Sequence, residues 1–363
     1  MRALQSWGAV VLAAAAFYGA FTLAALALHG WNPLWFVWIG ERYASGDPHG
    51  HSGYDGQFVY YIARDGLDAV PHLDSPAYRL GRILYPALVA GLSGGNVALM
   101  PWAMVLINFA AIITTTALLT RWLVERGVPR WYGLLYPLYV GTVMAYSRDL
   151  TEPLAYALAS AGMLAWLDQR RTTAVALLAL AGLTREATLL FPAALAIAEA
   201  LSRRWDRAVA AALAALPLAL WYRYLVAGLN LPPRQPGTGF GYVGANLFSN
   251  LSFEIGRVCS LLFVGLPILA LTPLAVRWLL RVPRDPIAWA IALHIALALI
   301  LPFGVHVHIF SASRTLSGLL VALLLAFPRC SPRFRAVVAA VAVAPTLMWL
   351  PVLLWWAPWT AKV

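Results

Sequence analysis

The chain is 363 residues long, 61% hydrophobic and only 11% charged, with a mean hydropathy of +0.73. Soluble domains carry about 25% charged residues, so an ordinary soluble fold is excluded, and long continuous apolar runs without alternation exclude a membrane β-barrel. The net charge of +11 comes from small arginine groups between apolar runs, whereas nucleic-acid binding needs a clustered basic face, so no nucleic-acid partner is expected.

The first apolar run, Trp7 to His29, resembles a signal segment but ends without a small-x-small cleavage site. It is expected to be a retained first helix. Trp31, Trp35 and Trp38 follow, rings that favour a membrane interface. Residues 40–80 then form the first long polar loop. It holds five aspartates, Asp47, Asp55, Asp65, Asp68 and Asp74, which with Glu41 make six of the chain's 15 acidic residues. Carboxylates concentrated beside a membrane span point to chemistry or transport. Within this loop Gln57 to Arg64 predicts a short helix lying on the membrane surface. Arg82 to Leu92 contains Pro86 and stops at Gly94-Gly95-Asn96. Its length predicts a helix that enters the bilayer only partly.

Leu99 to Leu119 reads as a full span, Trp131 to Tyr146 as a short one. Pro153 suits the first turn of the next helix, where its missing N–H is not needed, and that helix runs to Leu167. Thr172 to Leu183 and Ala187 to Ala200 flank the polar triad Thr184-Arg185-Glu186. After Val209 to Tyr222 comes a second polar loop, residues 230–252, rich in Gly and Pro. Leu261 to Val276, Trp289 to Phe303, Leu316 to Phe327 and Val338 to Leu354 complete the series. Placing the arginine groups at 121–130, 170–171, 203–207, 277–284 and 329–335 on the cytoplasmic side predicts an all-α polytopic protein. It has about eleven transmembrane helices and one partly inserted helix. The two polar loops, Arg148-Asp149 with Glu152, Arg185-Glu186, His306 with His308, and Arg314 then share the extracytoplasmic face. Cys259 and Cys330 fall near opposite faces, so no disulfide is expected.

Four motifs recur in order along this face: Gly53-Tyr54-Asp55-Gly56-Gln57-Phe58, Arg79 with Arg82-Ile83-Leu84-Tyr85-Pro86, Asp149-Leu150-Thr151-Glu152-Pro153, and Leu183-Thr184-Arg185-Glu186. Together they resemble multi-spanning glycosyltransferases of the GT-C type, nearest to bacterial relatives of the PIG-V-like (GPI mannosyltransferase) group. The resemblance covers about Trp7 to Arg204. It implies a bacterial inner-membrane enzyme using a polyprenyl-phosphate sugar, mannose among the candidates, on the extracytoplasmic side. The acceptor is a lipid, a glycan or a protein. It also implies an acidic residue in the first extracytoplasmic loop, followed by membrane-surface helices. Some relatives carry an acidic pair where this chain has Asp55 alone, so no cofactor is firmly expected and a divalent cation stays open.

Glycosyl transfer from a lipid phosphate needs a carboxylate for the acceptor proton, donors for the departing phosphate and restricted water. Asp55 is the expected general base of an inverting transfer; the alternative is a capping role before the helix that follows it. Tyr54 and Gln57 are candidates to position sugar hydroxyls. Arg185 and Arg314 are the candidate phosphate ligands, because guanidinium presents a fork of donors; either is alternatively held in an ion pair, Arg185 with Glu152. Arg79 and Arg82 meet the same phosphate or the lipid headgroups. Arg148, Asp149, Glu152 and Glu186 are expected to support the site, with Asp149 and Glu152 on one face if helical. His306 and His308 are candidate substrate contacts rather than metal ligands. The rival reading is a transporter or flippase of a lipid-linked sugar or anionic lipid.

Overall fold

The computed structural model describes residues 2–233, 255–301, 305 and 309–355. Among them every regular element is a helix. Five helices are long and apolar enough to cross a membrane: Trp7–Leu28, Met100–Glu125, Trp205–Gly228, Val258–Arg281 and Pro332–Trp355. A sixth span forms if Ile309–Thr315 and Ser317–Arg329, bent by 48° at their junction, count as one. The protein is a multi-pass helical membrane protein.

This corrects the expected eleven spans and the GT-C-like architecture built on them. The reason is length. A helix rises 1.5 Å per residue, and crossing the bilayer core takes about 20 residues. Arg171–Thr184 and Pro286–Ile300 have 14 and 15 residues, and Leu84–Ser93, expected to enter the bilayer only partly, has 10. The run from Trp131 to Tyr146 is broken into a 3-10 turn, Arg130–Leu135, and the eight-residue helix Val140–Ser147; between them Pro137 intervenes and Tyr139 is extended. The run from Ala187 likewise opens in a 3-10 turn, Glu186–Leu189, leaving twelve residues of helix in Leu190–Leu201. Hydropathy does not distinguish an apolar run that crosses from one that turns inside the protein.

The first polar loop is also more internal than expected. Helix Gly56–Asp65 covers the expected surface helix, yet its residues Gly56 to Ala63 are all buried. Phe58, Val59, Tyr61 and Ile62 pack in one cluster with Leu80, Tyr85, Val89, Met100 and Met104. The correction is physical: a helix apolar enough to lie on a bilayer is apolar enough to be covered by protein, and here the neighbouring helices cover it.

Two features set the site. Helices Glu152–Leu167 and Arg171–Thr184 are joined by a tight turn in which Gln169 is left-handed (φ 64°). They pack closely, Gly162 leaving room for Leu178. A tight hairpin brings the start of one helix beside the end of the other, so Glu152 and Thr184-Arg185-Glu186 lie at one end. Helix Ile309–Thr315 leans on Val140–Ser147 at Gly141, whose missing side chain admits the backbone of Ser313 and Arg314. The Tyr139 hydroxyl donates to the Ser313 carbonyl at 2.9 Å. These contacts aim Arg314 at the same end.

Candidate functional site

The segment around Asp55 is held by glycines. Gly53 takes φ 65°, and a Cβ there would lie 2.7 Å from both the Trp38 carbonyl oxygen and Gln57 Oε1. A left-handed, crowded position of this kind favours glycine. A Cβ on Gly56 would collide with the Arg148 carbonyl oxygen. Asp55 stands at the N-cap of helix Gly56–Asp65, but its side chain makes no capping hydrogen bond. The carboxylate turns instead to two arginines: Oδ1 lies 3.0 Å from Arg79 Nη2, and Oδ2 lies 2.8 Å from Arg314 Nη2.

From Asp55 the ion pairs continue in both directions. Arg79 grips Asp74 with two donors, Nε and Nη2, each at 2.7 Å. Arg314 Nη1 reaches Glu152 Oε1 at 3.3 Å, and Arg185 Nη1 reaches the same oxygen at 3.2 Å. Arg185 also donates to Thr151 Oγ1 at 3.3 Å. Arg82 holds Glu186 with two donors at 2.9 and 2.7 Å and also bonds the Tyr78 hydroxyl. The ion pairs thus place Arg79, Arg82, Arg185 and Arg314 against Asp55, Asp74, Glu152 and Glu186, residues separated by up to 259 positions in sequence.

The electrostatics follow from this arrangement. Burial raises the Asp55 carboxyl, but Arg79, Arg314 and Arg82 outweigh it and hold the group well below the usual carboxylate range. Glu186 is pulled the same way: burial opposes, Arg82 dominates, and the group sits at about 2. An opposite charge within a few ångströms favours the ionised form. At neutral pH these carboxylates are charged acceptors already occupied by arginine.

The other expected residues are elsewhere or differently engaged. Gln57 is fully buried and braces the loop, its Oε1 accepting from Gly40 N–H at 3.1 Å and its Nε2 donating to the Ser52 carbonyl at 2.7 Å. Tyr54 lies under Arg314, 5.3 Å from guanidinium to ring centre. Arg148 stands behind Gly56, its guanidinium 4.7 and 4.6 Å from the ring centres of Trp35 and Trp38. Burial lowers its pKa to about 9, leaving it a cation at neutral pH.

Asp149 does not share a face with Glu152. The helix begins at Glu152 with Pro153 in its first turn, and Asp149 precedes it at φ 47°. Asp149 is fully buried, and its Oδ1 accepts from Asn108 Nδ2 at 3.3 Å. Burial raises its carboxyl well above the usual range. His306 and His308 lie outside the described residues, as does the second polar loop beyond Pro233. Sequence reasoning gave no role to Asp74, Tyr78 or Asn108. A lone Asn in the 26-residue apolar helix Met100–Glu125 was the available signal for the last.

Two cavities meet at this cluster. A small one of about 20 Å³, room for about one water, is lined by Asp55, Phe58, Arg79, Arg82, Glu152 and Arg314. A larger one of about 610 Å³ has Tyr78, Arg185, Glu186 and Arg314 among its polar lining, and Leu189, Leu190, Leu218, Leu297 and Leu301 among its apolar lining. Arg314 borders both. Among the described residues no group of three or more His, Cys, Asp or Glu side chains is arranged to hold a metal ion.

Comparison with known proteins finds no matching family model, no matching curated protein and no matching solved structure. With five or six spans among the described residues in place of eleven, the resemblance to GT-C enzymes and to the PIG-V-like mannosyltransferase group is corrected: the four short motifs mark polar residues that meet in space, and they do not assign the chain to that family.

Proposed function

We propose that the protein is a membrane enzyme that moves a sugar, with inversion, from a polyprenyl-phosphate donor to a hydroxyl acceptor on a lipid, glycan or protein, with Asp55 taking the acceptor proton. The reading places it in a bacterial inner membrane with the site on the extracytoplasmic side. It rests on the site alone, not on family membership. The observation that carries it is the position of Arg314, which pairs with Asp55 and also lines the amphipathic cavity that Arg185 borders. Apolar walls suit a prenyl chain, and two guanidinium groups suit a phosphate. In the reaction the acceptor O–H proton passes to Asp55, the acceptor oxygen bonds to the sugar carbon, and the bond from that carbon to the phosphate oxygen breaks. The phosphate leaves with the electron pair, beside arginines that stabilise it.

The test is reconstitution in lipid with polyprenyl-phosphate sugars and hydroxyl acceptors. Wild type is expected to transfer, and Asp55→Asn to retain donor binding while losing transfer by about 10²-fold or more. Undiminished transfer by Asp55→Asn would sink the reading. One observation favours a second reading, movement of a lipid-linked sugar or anionic lipid without bond cleavage: Asp55 is held well below the usual carboxylate range, which makes it a poor base as it stands. Lipid translocation without product in the same vesicles would select that reading.

A further inference from the structure

The four clustered arginines are not equivalent. Arg79 and Arg82 are locked, each gripping one carboxylate with two donors that include Nε. Arg185 is held through Nη1 alone, shared between Thr151 Oγ1 and Glu152 Oε1, and Arg314 offers only one donor to each of two carboxylates, Nη2 to Asp55 and Nη1 to the same Glu152 Oε1. In each the Nε–H is buried without a partner. A buried donor left without a partner is unfavourable, and a ligand that fills it gains accordingly. The two arginines with an unfilled donor are the same two that line the large cavity. The unfilled donors, the shared carboxylate oxygen and the adjoining apolar walls describe a seat for the phosphate of an amphiphile.

Filling that seat affects Asp55. Arg314 has one hand on Asp55 and the other on Glu152. We propose that Arg314 is a positioning residue that leaves Asp55 for the phosphate of an incoming lipid, so that Asp55 becomes a competent proton acceptor only when the donor is seated. The inference rests on the transferase reading and adds its regulation. It removes the objection that Asp55 is too acidic, since the ligand dismantles part of the arrangement that makes it so. It also explains how a site beside water-sized space avoids activating water in the absence of donor.

The groups that remain around Asp55 bound the effect. Arg79 of Pro76–Leu80 stays, tied to Asp74; Arg82 lies beyond it; Glu152 of the opposite helix faces the same small cavity; Tyr43 and Tyr54 stand nearby. Loss of Arg314 and retention of Arg79 predict a rise in the pH of proton uptake by Asp55, not a full return to that of a free carboxylate.

The test uses the full chain in nanodiscs with isotope-labelled aspartate, following carboxyl protonation by infrared difference spectroscopy as pH is lowered. The Asp55 signal is assigned by its loss in Asp55→Asn. The probe is farnesyl phosphate, which carries the prenyl phosphate and no sugar, with its binding followed by phosphorus NMR and inorganic phosphate as the parallel arm. Farnesyl phosphate is expected to raise the midpoint of Asp55 protonation at least tenfold in proton affinity. The same shift with inorganic phosphate alone assigns the seat to the phosphate without its chain. In Arg314→Gln the midpoint is expected to be raised already, with no further shift; Arg314→Lys, which keeps the charge and loses the fork, gives an intermediate result if the glutamine variant does not fold. Bound farnesyl phosphate with no shift overturns the proposal, as does failure of both probes to bind. A normal shift in a protein that transfers no sugar leaves the exchange standing and defeats only the transferase reading.

Discussion

Gly56 and Arg148 touch backbone to backbone: the α-carbon of the glycine lies against the carbonyl oxygen of the arginine so closely that no side chain fits between them. This contact sets the depth of Asp55, the preceding residue. Gly56→Ala is expected to push the start of helix Gly56–Asp65 away from the Arg148 segment and to draw Asp55 off Arg79 and Arg314. Overpacking of this kind costs about 1–3 kcal/mol of stability. A misplacement on the order of 1 Å in a reacting group lowers turnover by about 10²-fold. Thermal unfolding and the transfer assay, run on the same preparation, check both effects.

Asp149 yields a prediction with a defined sign. Its carboxyl is raised above its usual 3.8 in the folded protein, so the folded state binds the proton more tightly than the unfolded chain does. The stabilising effect of that proton is complete below about pH 3.8 and declines as pH rises toward the folded value. Asn mimics the neutral acid and tolerates the left-handed backbone at φ 47°. Asp149→Asn is therefore expected to match wild type in acid and to become the more stable protein toward neutral and alkaline pH. Asp149→Ala removes the acceptor for Asn108 and is expected to lose about 1–3 kcal/mol. Unfolding temperatures across a pH series separate the three proteins.

Glu186 runs the other way. It falls from its usual 4.5 to about 2 through Arg82, so its contribution is present above about pH 4.5 and is lost as pH falls toward 2. The side chain is 42% exposed, and solvent screening keeps the contribution to about 1 kcal/mol or less. Glu186→Gln is expected to flatten that part of the acid-unfolding profile. A variant as pH-sensitive as wild type between those values would refute the pairing.

Gly318 faces His294 and Tyr156 inside the bundle. A Cβ at that position would collide with the ring nitrogen Nε2 of His294 and stand 2.9 Å from Tyr156 Cε1. His294 is held in place from its other nitrogen, 2.7 Å from the Ala290 carbonyl oxygen, and its ring lies 4.8 Å from that of Phe191. Gly318→Ala is expected to destabilise the protein by about 1–3 kcal/mol while leaving the arginine cluster in place. Unfolding in detergent and farnesyl phosphate binding measure the two parts.

Which residues meet was legible because polar side chains are scarce in so apolar a chain. Asp55, Arg79, Arg82, Glu152, Arg185 and Arg314 stand out for that reason, and ion pairing draws such groups together away from lipid. Of the partners within the cluster, the Arg185–Glu152 pair was among the alternatives the sequence offered, and the others were not legible. Asp149 and Glu152 were expected on one face if helical, but the helix starts only at Glu152 and the two carboxylates take different neighbours. Gln57 looked available for substrate and is consumed by Gly40 and Ser52. The span count failed because apolarity reports burial from water alone: Pro286–Ile300 and Leu190–Leu201 are as apolar as a crossing helix and too short to be one.

The joined side chains are matched in number, Arg79, Arg82, Arg185 and Arg314 against Asp55, Asp74, Glu152 and Glu186. A matched set projects little field beyond its own contacts. Charged sites that draw ligands from bulk solution do so by long-range attraction, and their capture rates fall steeply as salt rises. By that count the four pairs add little long-range attraction of their own. The site's ligand is expected to arrive sideways out of the lipid, along the leucine-lined walls, with a capture rate nearly indifferent to ionic strength.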